Sequence, residues 1–211
     1  MLGAAGLIAA LLRIAPAMAA PLRILAFGDI LTAGLGLPAG EAFPVRMQAR
    51  LAADGYQVQI ANGGVSGDTT AGGLARLDWA LADKPDAVLV EFGANDMLRG
   101  IDPKVTYDNL DKIMARIEQS GAKILLLGMK AASNWGREYQ ESFDAIYPAL
   151  AAKYHVPLYP FFLDGVATDA TLNQADGLHP NPQGVALIVE RVAPYLERLL
   201  DRPAAVGGSS L

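Results

Sequence analysis

Five short apolar runs recur along the chain, at Arg23 to Phe27, Gln57 to Ala61, Ala87 to Phe92, Lys123 to Gly128 and Pro157 to Phe161, separated by longer amphipathic stretches. Runs such as Ala87-Val88-Leu89-Val90 are apolar at every position, as in a strand covered on both faces. The stretches between them carry apolar residues at helical spacing and predict helices over about Phe43 to Asp54, Thr70 to Ala82, Thr106 to Gln119 and Arg137 to Tyr154, with a last one from Asn181 to Leu200. Gly55 and Gly121 stand where a glycine ends a helix, and Asn181-Pro182 supplies a capping side chain followed by a proline at the first helical position. Strand and helix alternate, and right-handed crossovers then predict an α/β three-layer sandwich around a five-stranded parallel sheet. Trp79 falls on an apolar helical face and is expected in the core.

With 211 residues the chain suits one domain, taken as 21–200, which can bury a substantial core without staples. The absence of Cys removes disulfides, thiol nucleophiles and Cys-based zinc sites. The net charge of −5, with Lys and Arg dispersed, excludes nucleic acid as an expected partner. An apolar run from Leu2 to Leu12 followed by Ala17-Met18-Ala19 predicts a signal peptide over 1–20, and with it a periplasmic or secreted protein. That run falls short of the roughly 20 residues a spanning helix needs, so no integral membrane span is expected in the mature chain. The last residues, 201–211, rich in Gly, Ser and Pro, read as a disordered tail.

The chemistry-bearing segments all follow predicted strands: Phe27-Gly28-Asp29-Ile30-Leu31-Thr32, Asn62 to Thr70, Gly93 to Arg99 and Asp176-Gly177-Leu178-His179-Pro180. In an open parallel sheet ligands bind beyond the carboxyl ends of the strands, so these segments are expected to meet at one edge. No Gly-x-Gly-x-x-Gly or Walker A segment follows the first strand, which argues against a nucleotide-binding domain. His155, at the start of the fifth strand, reads as structural, and Asp29 as an acceptor holding its turn.

These four segments, with the Met129 to Tyr139 loop containing Asn134 and Gly136, resemble the sequence blocks of the SGNH (GDSL-type) hydrolases. The likeness is greatest to the exported bacterial arylesterase, thioesterase and lysophospholipase branch, and it covers nearly all of the mature chain. It implies a flavodoxin-like sheet and an acyl-enzyme mechanism on aryl, short-acyl or lysophospholipid esters, or on thioesters. It implies no metal and no cofactor, and a monomer or weak dimer is expected. By the resemblance His179 is the general base, Asp176 the carboxylate that orients it, and the oxyanion hole is formed by the Gly67 N–H, the Asn95 amide and the N–H of residue 30. Met97, Leu98, Met129, Trp135 and Tyr139 are candidates for the substrate pocket.

Residue 30 is Ile where the family's Gly-Asp-Ser-Leu block carries the nucleophilic Ser. Ile offers no nucleophilic atom, so the chain is expected to be catalytically impaired. Thr32 and Ser66 are the nearby hydroxyls, and neither is expected to substitute. A single-base change separates some Ser codons from Ile codons, and the retained Asp176, His179, Asn95 and Gly67 fit a recent or introduced loss. The alternative is a non-catalytic module that binds an acyl chain or carbohydrate in the same cleft.

Overall fold

The structure is a computed structural model that describes residues 20–201. The expected leader and tail lie outside the described residues, apart from Ala20 and Asp201. Five strands, β1 (Leu22–Gly28), β2 (Val58–Gly64), β3 (Ala87–Glu91), β4 (Lys123–Leu127) and β5 (Leu158–Tyr159), form one parallel sheet in the order β2-β1-β3-β4-β5. β3 is buried at all five positions and β4 at four, which explains the apolar runs Ala87 to Val90 and Ile124 to Leu127. The chain leaves β1 for one side and returns to its other side as β3, so the order reverses between them. A crevice opens at that point, beyond Gly28 and Glu91.

The helices are α1 (Ile30–Ala33), α2 (Phe43–Ala53), α3 (Thr70–Ala80), α4 (Ala94–Leu98), α5 (Pro103–Ser120), α6 (Arg137–Asp144), α7 (Ile146–Tyr154) and α8 (Pro182–Asp201). α2 packs with α8, while α3, α5 and α7 pack in succession, giving a layer of helices on each face. The expected three-layer sandwich is therefore present. Among the described residues no helix is long and apolar enough to cross a membrane.

Several boundaries differ from the sequence reading for identifiable reasons. α5 starts three residues before the expected Thr106, because Asp102 caps Lys104 N at 2.8 Å and Pro103 occupies the first turn. The expected helix over 137–154 is two helices: Pro148 has no N–H to offer the Asp144 carbonyl, and the chain restarts at Ile146. β5 spans two residues, since Pro160 cannot continue the ladder. Trp79 is 79% exposed, which corrects its placement in the core. The buried stripe of α3 runs through Thr70, Gly73 and Leu77, and Trp79 lies two residues beyond it, on the far side of the helix.

Candidate active site

The turn after β1 is built around two carboxyls. Asp29 is fully buried and caps α1: its Oδ1 accepts the Leu31 N–H at 3.0 Å, and its Oδ2 accepts an Asn95 amide hydrogen at 3.1 Å. Asp29 thus does more than hold its own turn, because it also ties β1 to α4. Glu91, the last residue of β3, is 1% exposed, and its Oε2 accepts the Thr32 hydroxyl at 2.8 Å and the Asp29 N–H at 3.4 Å. Gly28 is glycine for this reason, since a Cβ there would collide with Thr32 Oγ1 and Glu91 Oε2. Burial pushes the Asp29 carboxyl up to about 6. Burial, then the neighbouring Asp29 charge, hold Glu91 well above the usual carboxylate range.

Ile30 is the first residue of α1, so its N–H has no carbonyl partner within the helix. Gly67 lies in the turn between β2 and α3 with φ of 81°, a backbone state that favours glycine. Its carbonyl accepts from Arg99 Nη2 at 2.7 Å. Asn95 is on α4, 9% exposed. Asp96 beside it accepts from Thr70 N at 2.9 Å and Thr70 Oγ1 at 2.5 Å, joining α4 to the start of α3.

Arg76 was not singled out in the sequence, yet it binds this half of the site together. From α3 it reaches Asp68 Oδ2 at 2.6 Å, the Gly63 carbonyl at 2.9 Å and the Gly28 carbonyl at 2.9 Å, with its guanidinium centre 4.4 Å from the centroid of the Phe27 ring. One side chain thus bridges the ends of β1 and β2 and the turn carrying Gly67. Its sequence signal was an Arg two helical turns after Asp68, on the side of α3 that flanks the buried stripe.

Asp176 and His179 lie on a loop between β5 and α8. An antiparallel bridge between Asn173 and Pro180 closes the loop, and Gln174 N donates to the His179 carbonyl at 2.7 Å. The loop is joined to the segment after α1 by Gln174 Nε2, which donates to the Leu35 carbonyl at 2.8 Å. Asp176 Oδ2 stands 2.6 Å from His179 Nδ1, and Oδ1 accepts the backbone N–H groups of Leu178 and His179 at 2.9 and 3.0 Å. The bond to the His179 ring, with those from the backbone, holds the Asp176 carboxyl well below the usual range. A carboxylate in that position selects the imidazole tautomer with its proton on Nδ1 and leaves Nε2 to accept.

Ile30 and His179 line one narrow cavity of about 10 Å³, its other walls including Leu31, Leu35, Leu37, Phe43 and Phe162. The structure therefore brings together Ile30, Asn95, Asp176 and His179, through the Asp29–Asn95 bond on one side and the shared cavity on the other. The pocket candidates are dispersed. Met129 is 3% exposed within the core, Met97 is partly buried against it, and Leu98 is 52% exposed. Trp135 and Tyr139, with ring centroids 5.5 Å apart, line a separate open groove with Asp102, Lys104 and Arg137. Trp135 also covers Gly100, just beyond α4. Of the residues that do share a cavity with Ile30 and His179, Leu35 and Leu37 are exposed or partly buried apolar side chains outside any predicted helix, whereas Phe43, Val185 and Ile188 are buried residues of predicted helices. His155 caps the end of α7 in a left-handed conformation, in line with a structural role. No group of three or more His, Cys, Asp or Glu that could hold a metal occurs among the described residues.

The chain belongs to the GDSL-like Lipase/Acylhydrolase family, whose profile matches residues 26–187, and its five-stranded parallel sheet flanked by helices is the SGNH-hydrolase fold. It is 42% identical over 183 residues to esterase TesA of Pseudomonas aeruginosa, covering 86% of this chain and 91% of that protein. It is 38% identical to thioesterase 1/protease 1/lysophospholipase L1 of Escherichia coli, covering 84% and 85%. Among solved structures it resembles TesA, at a TM-score of 0.80 and 41% identity over 84% of this chain and 99% of that one. It also resembles AlinE4, an SGNH-hydrolase family esterase, at 0.74 and 43% over 88% and 100%.

Proposed function

We propose that this scaffold, when residue 30 is Ser, hydrolyses aryl, short-acyl or lysophospholipid esters or thioesters through an acyl-enzyme, and that the chain with Ile30 is catalytically impaired. The observation that carries the reading is the Asp176–His179 pair at 2.6 Å on the cavity that Ile30 also lines. In this scheme Asp176 keeps the Nδ1 proton in place, and His179 Nε2 takes the Ser proton and returns it to the leaving group. The N–H groups of residue 30 and Gly67 and the Asn95 amide receive the oxyanion. Ile30 removes the attacking atom and fills the space beside His179 with branched hydrocarbon. Thr32 offers no replacement, because its hydroxyl is buried against Glu91.

The proposal extends to export: the apolar leader at 1–20 would deliver the domain to the periplasm or outside the cell. A second reading, a module that binds an acyl chain without cleaving it, is favoured by the apolar walls of the Ile30–His179 cavity. Hydrolysis of p-nitrophenyl butyrate by the chain as it stands and by Ile30→Ser separates the two. Turnover in the revertant alone supports the hydrolase. Its absence in a folded revertant, with retained fatty-acid binding, supports the module.

A further inference from the structure

Two buried carboxyls under the oxyanion side of the cleft have no part in the proton transfers described above. Asp29 and Glu91 are at most 1% exposed, Glu91 Oε2 accepts the Asp29 backbone N–H at 3.4 Å, and Glu91 Oε1 has no hydrogen-bond partner. Like charges in contact within a dry site cannot both persist, so the pair holds one proton. Its location follows from the donors around it. Asp29 accepts two N–H groups, one on each oxygen, from Leu31 and Asn95, and this favours the ionised form. Glu91 has one oxygen without a partner, a far smaller cost for a neutral acid than for a carboxylate.

We infer that Glu91 is a neutral acid that holds Asp29 as a carboxylate, and that this carboxylate turns the Asn95 amide so that one hydrogen is bound inward and the other faces the cleft. A carboxylate can only accept, so it fixes which end of the Asn95 amide faces inward. Asp29 and Glu91 are then positioning residues for the oxyanion donor, acting through Asn95. The inference rests on the hydrolase reading for its catalytic consequence and on the hydrogen bonds alone for its structural content. The other charged or titratable groups facing the pair are Asp96 from α4, Tyr147 from α7, whose hydroxyl donates to the Phe92 carbonyl at 2.9 Å, and Arg76 from α3 through the Gly28 carbonyl. None of these hydrogen-bonds to the Asp29 or Glu91 carboxylate oxygens in the structure.

The substitution that isolates the role is Asp29→Asn, which leaves one acceptor for two donors, so that either the Leu31 cap or the Asn95 bond is lost. Carboxyl carbon NMR on the chain as it stands, with Glu91→Gln identifying the Glu91 signal, should show Glu91 protonated and Asp29 ionised at neutral pH. The Asn95 side-chain amide signal should move in Asp29→Asn. In the Ile30→Ser background, Asp29→Asn should lower kcat by about 10- to 100-fold, the scale of a weakened oxyanion donor, with KM within about threefold. Glu91→Ala should lower kcat in the same way, and Glu91→Gln, which keeps a neutral donor of the same shape, should recover most of that loss. Both carboxyls ionised at neutral pH, or an Asn95 signal unmoved by Asp29→Asn, would overturn the inference. Should Ile30→Ser show no turnover, the hydrolase reading fails, and the NMR signals still decide the protonation and the Asn95 contact.

Discussion

On the β1–β3 side of the cleft, Asp29, Glu91, Asn95 and Asp96 are all at most 9% exposed and their bonds run between different strands and helices. On the facing side, the Asp176 side chain is 45% exposed and its bonds all lie within three residues of itself. The first wall is over-determined, with Arg76 alone joining the ends of two strands to the Gly67 turn. The second is a short self-contained loop, docked through Gln174 to Leu35 and anchored where Asn181 starts α8. Donors for a developing oxyanion must be fixed before reaction, since any reorganisation subtracts from their effect. A base that moves a proton twice, and admits and releases ligands beside it, gains from a loop. The contrast is one of stability as well as of role, because local opening concentrates where few buried contacts cross elements.

Ile30→Ser carries the largest expected effect, because it asks whether the two walls still work as a unit. Esterase activity should rise by at least about four orders of magnitude, the scale set by triad dissection in hydrolases. The revertant should also be labelled by a serine-directed organophosphonate that leaves the Ile30 chain unmodified, as mass spectrometry would record. A folded revertant with neither labelling nor turnover would mean that the walls have diverged.

Arg76→Ala probes the over-determined wall, and chemical denaturation should show a loss of about 2 kcal/mol, since three charge-assisted bonds disappear together. Arg76→Lys should recover little, as an ammonium cannot span three separated acceptors. Equal stability of Arg76→Lys and the parent would refute the idea of a three-point bracket. On the loop wall, Asn181→Ala removes the side chain that accepts Gln183 and Gly184 N–H, at a cost of about 1 kcal/mol. Its hydrogen exchange should quicken around residues 173–180 and stay unchanged at β1 and β3. Faster exchange across both walls would dissolve the comparison.

The smallest effect is on pH dependence, and its sign differs between the walls. Asp29, pushed up to about 6, binds its proton more readily folded than unfolded, so its contribution is full below the ordinary 3.8 and is lost as pH rises through about 6. Asp176 is depressed, so its contribution is full above the ordinary carboxylate range and is lost as pH falls toward its folded value. Melting scans across pH should therefore show a shallow decline between about pH 4 and pH 6 that Asp29→Asn flattens. A Tm that climbs steadily through that range would contradict the burial of the carboxyl pair as a titrating unit.

The sheet was legible because β3 and β4 each carry four consecutive apolar residues, Ala87 to Val90 and Ile124 to Leu127, that have no other stable home. α1 and α4, of four and five residues, were not, since neither completes enough turns to show a period. The Asp176–His179 pair was expected from the resemblance of its segment to an SGNH sequence block, and its members, three residues apart, lie within hydrogen-bond reach. Glu91 and Arg76 acquire their meaning from partners 13 to 62 residues away, with Arg76 also bound to Asp68, and a single sequence gives no sign of such pairings. Trp79 was misplaced because helical period shows that a face exists without showing which flank of it meets the sheet.

The two tryptophans turn the same asymmetry into an optical instrument. Trp79 stands in water on the outer side of α3, while Trp135 rests over Gly100 and beside Tyr139, at the end of the segment that carries Asn95. With Trp79 replaced by Phe, the remaining indole emission would come from Trp135 alone, so its wavelength and quenching would report occupancy and movement near the β1–β3 wall in real time. The protein carries its own fluorescent reporter, and no external dye would need to be attached to watch a ligand arrive.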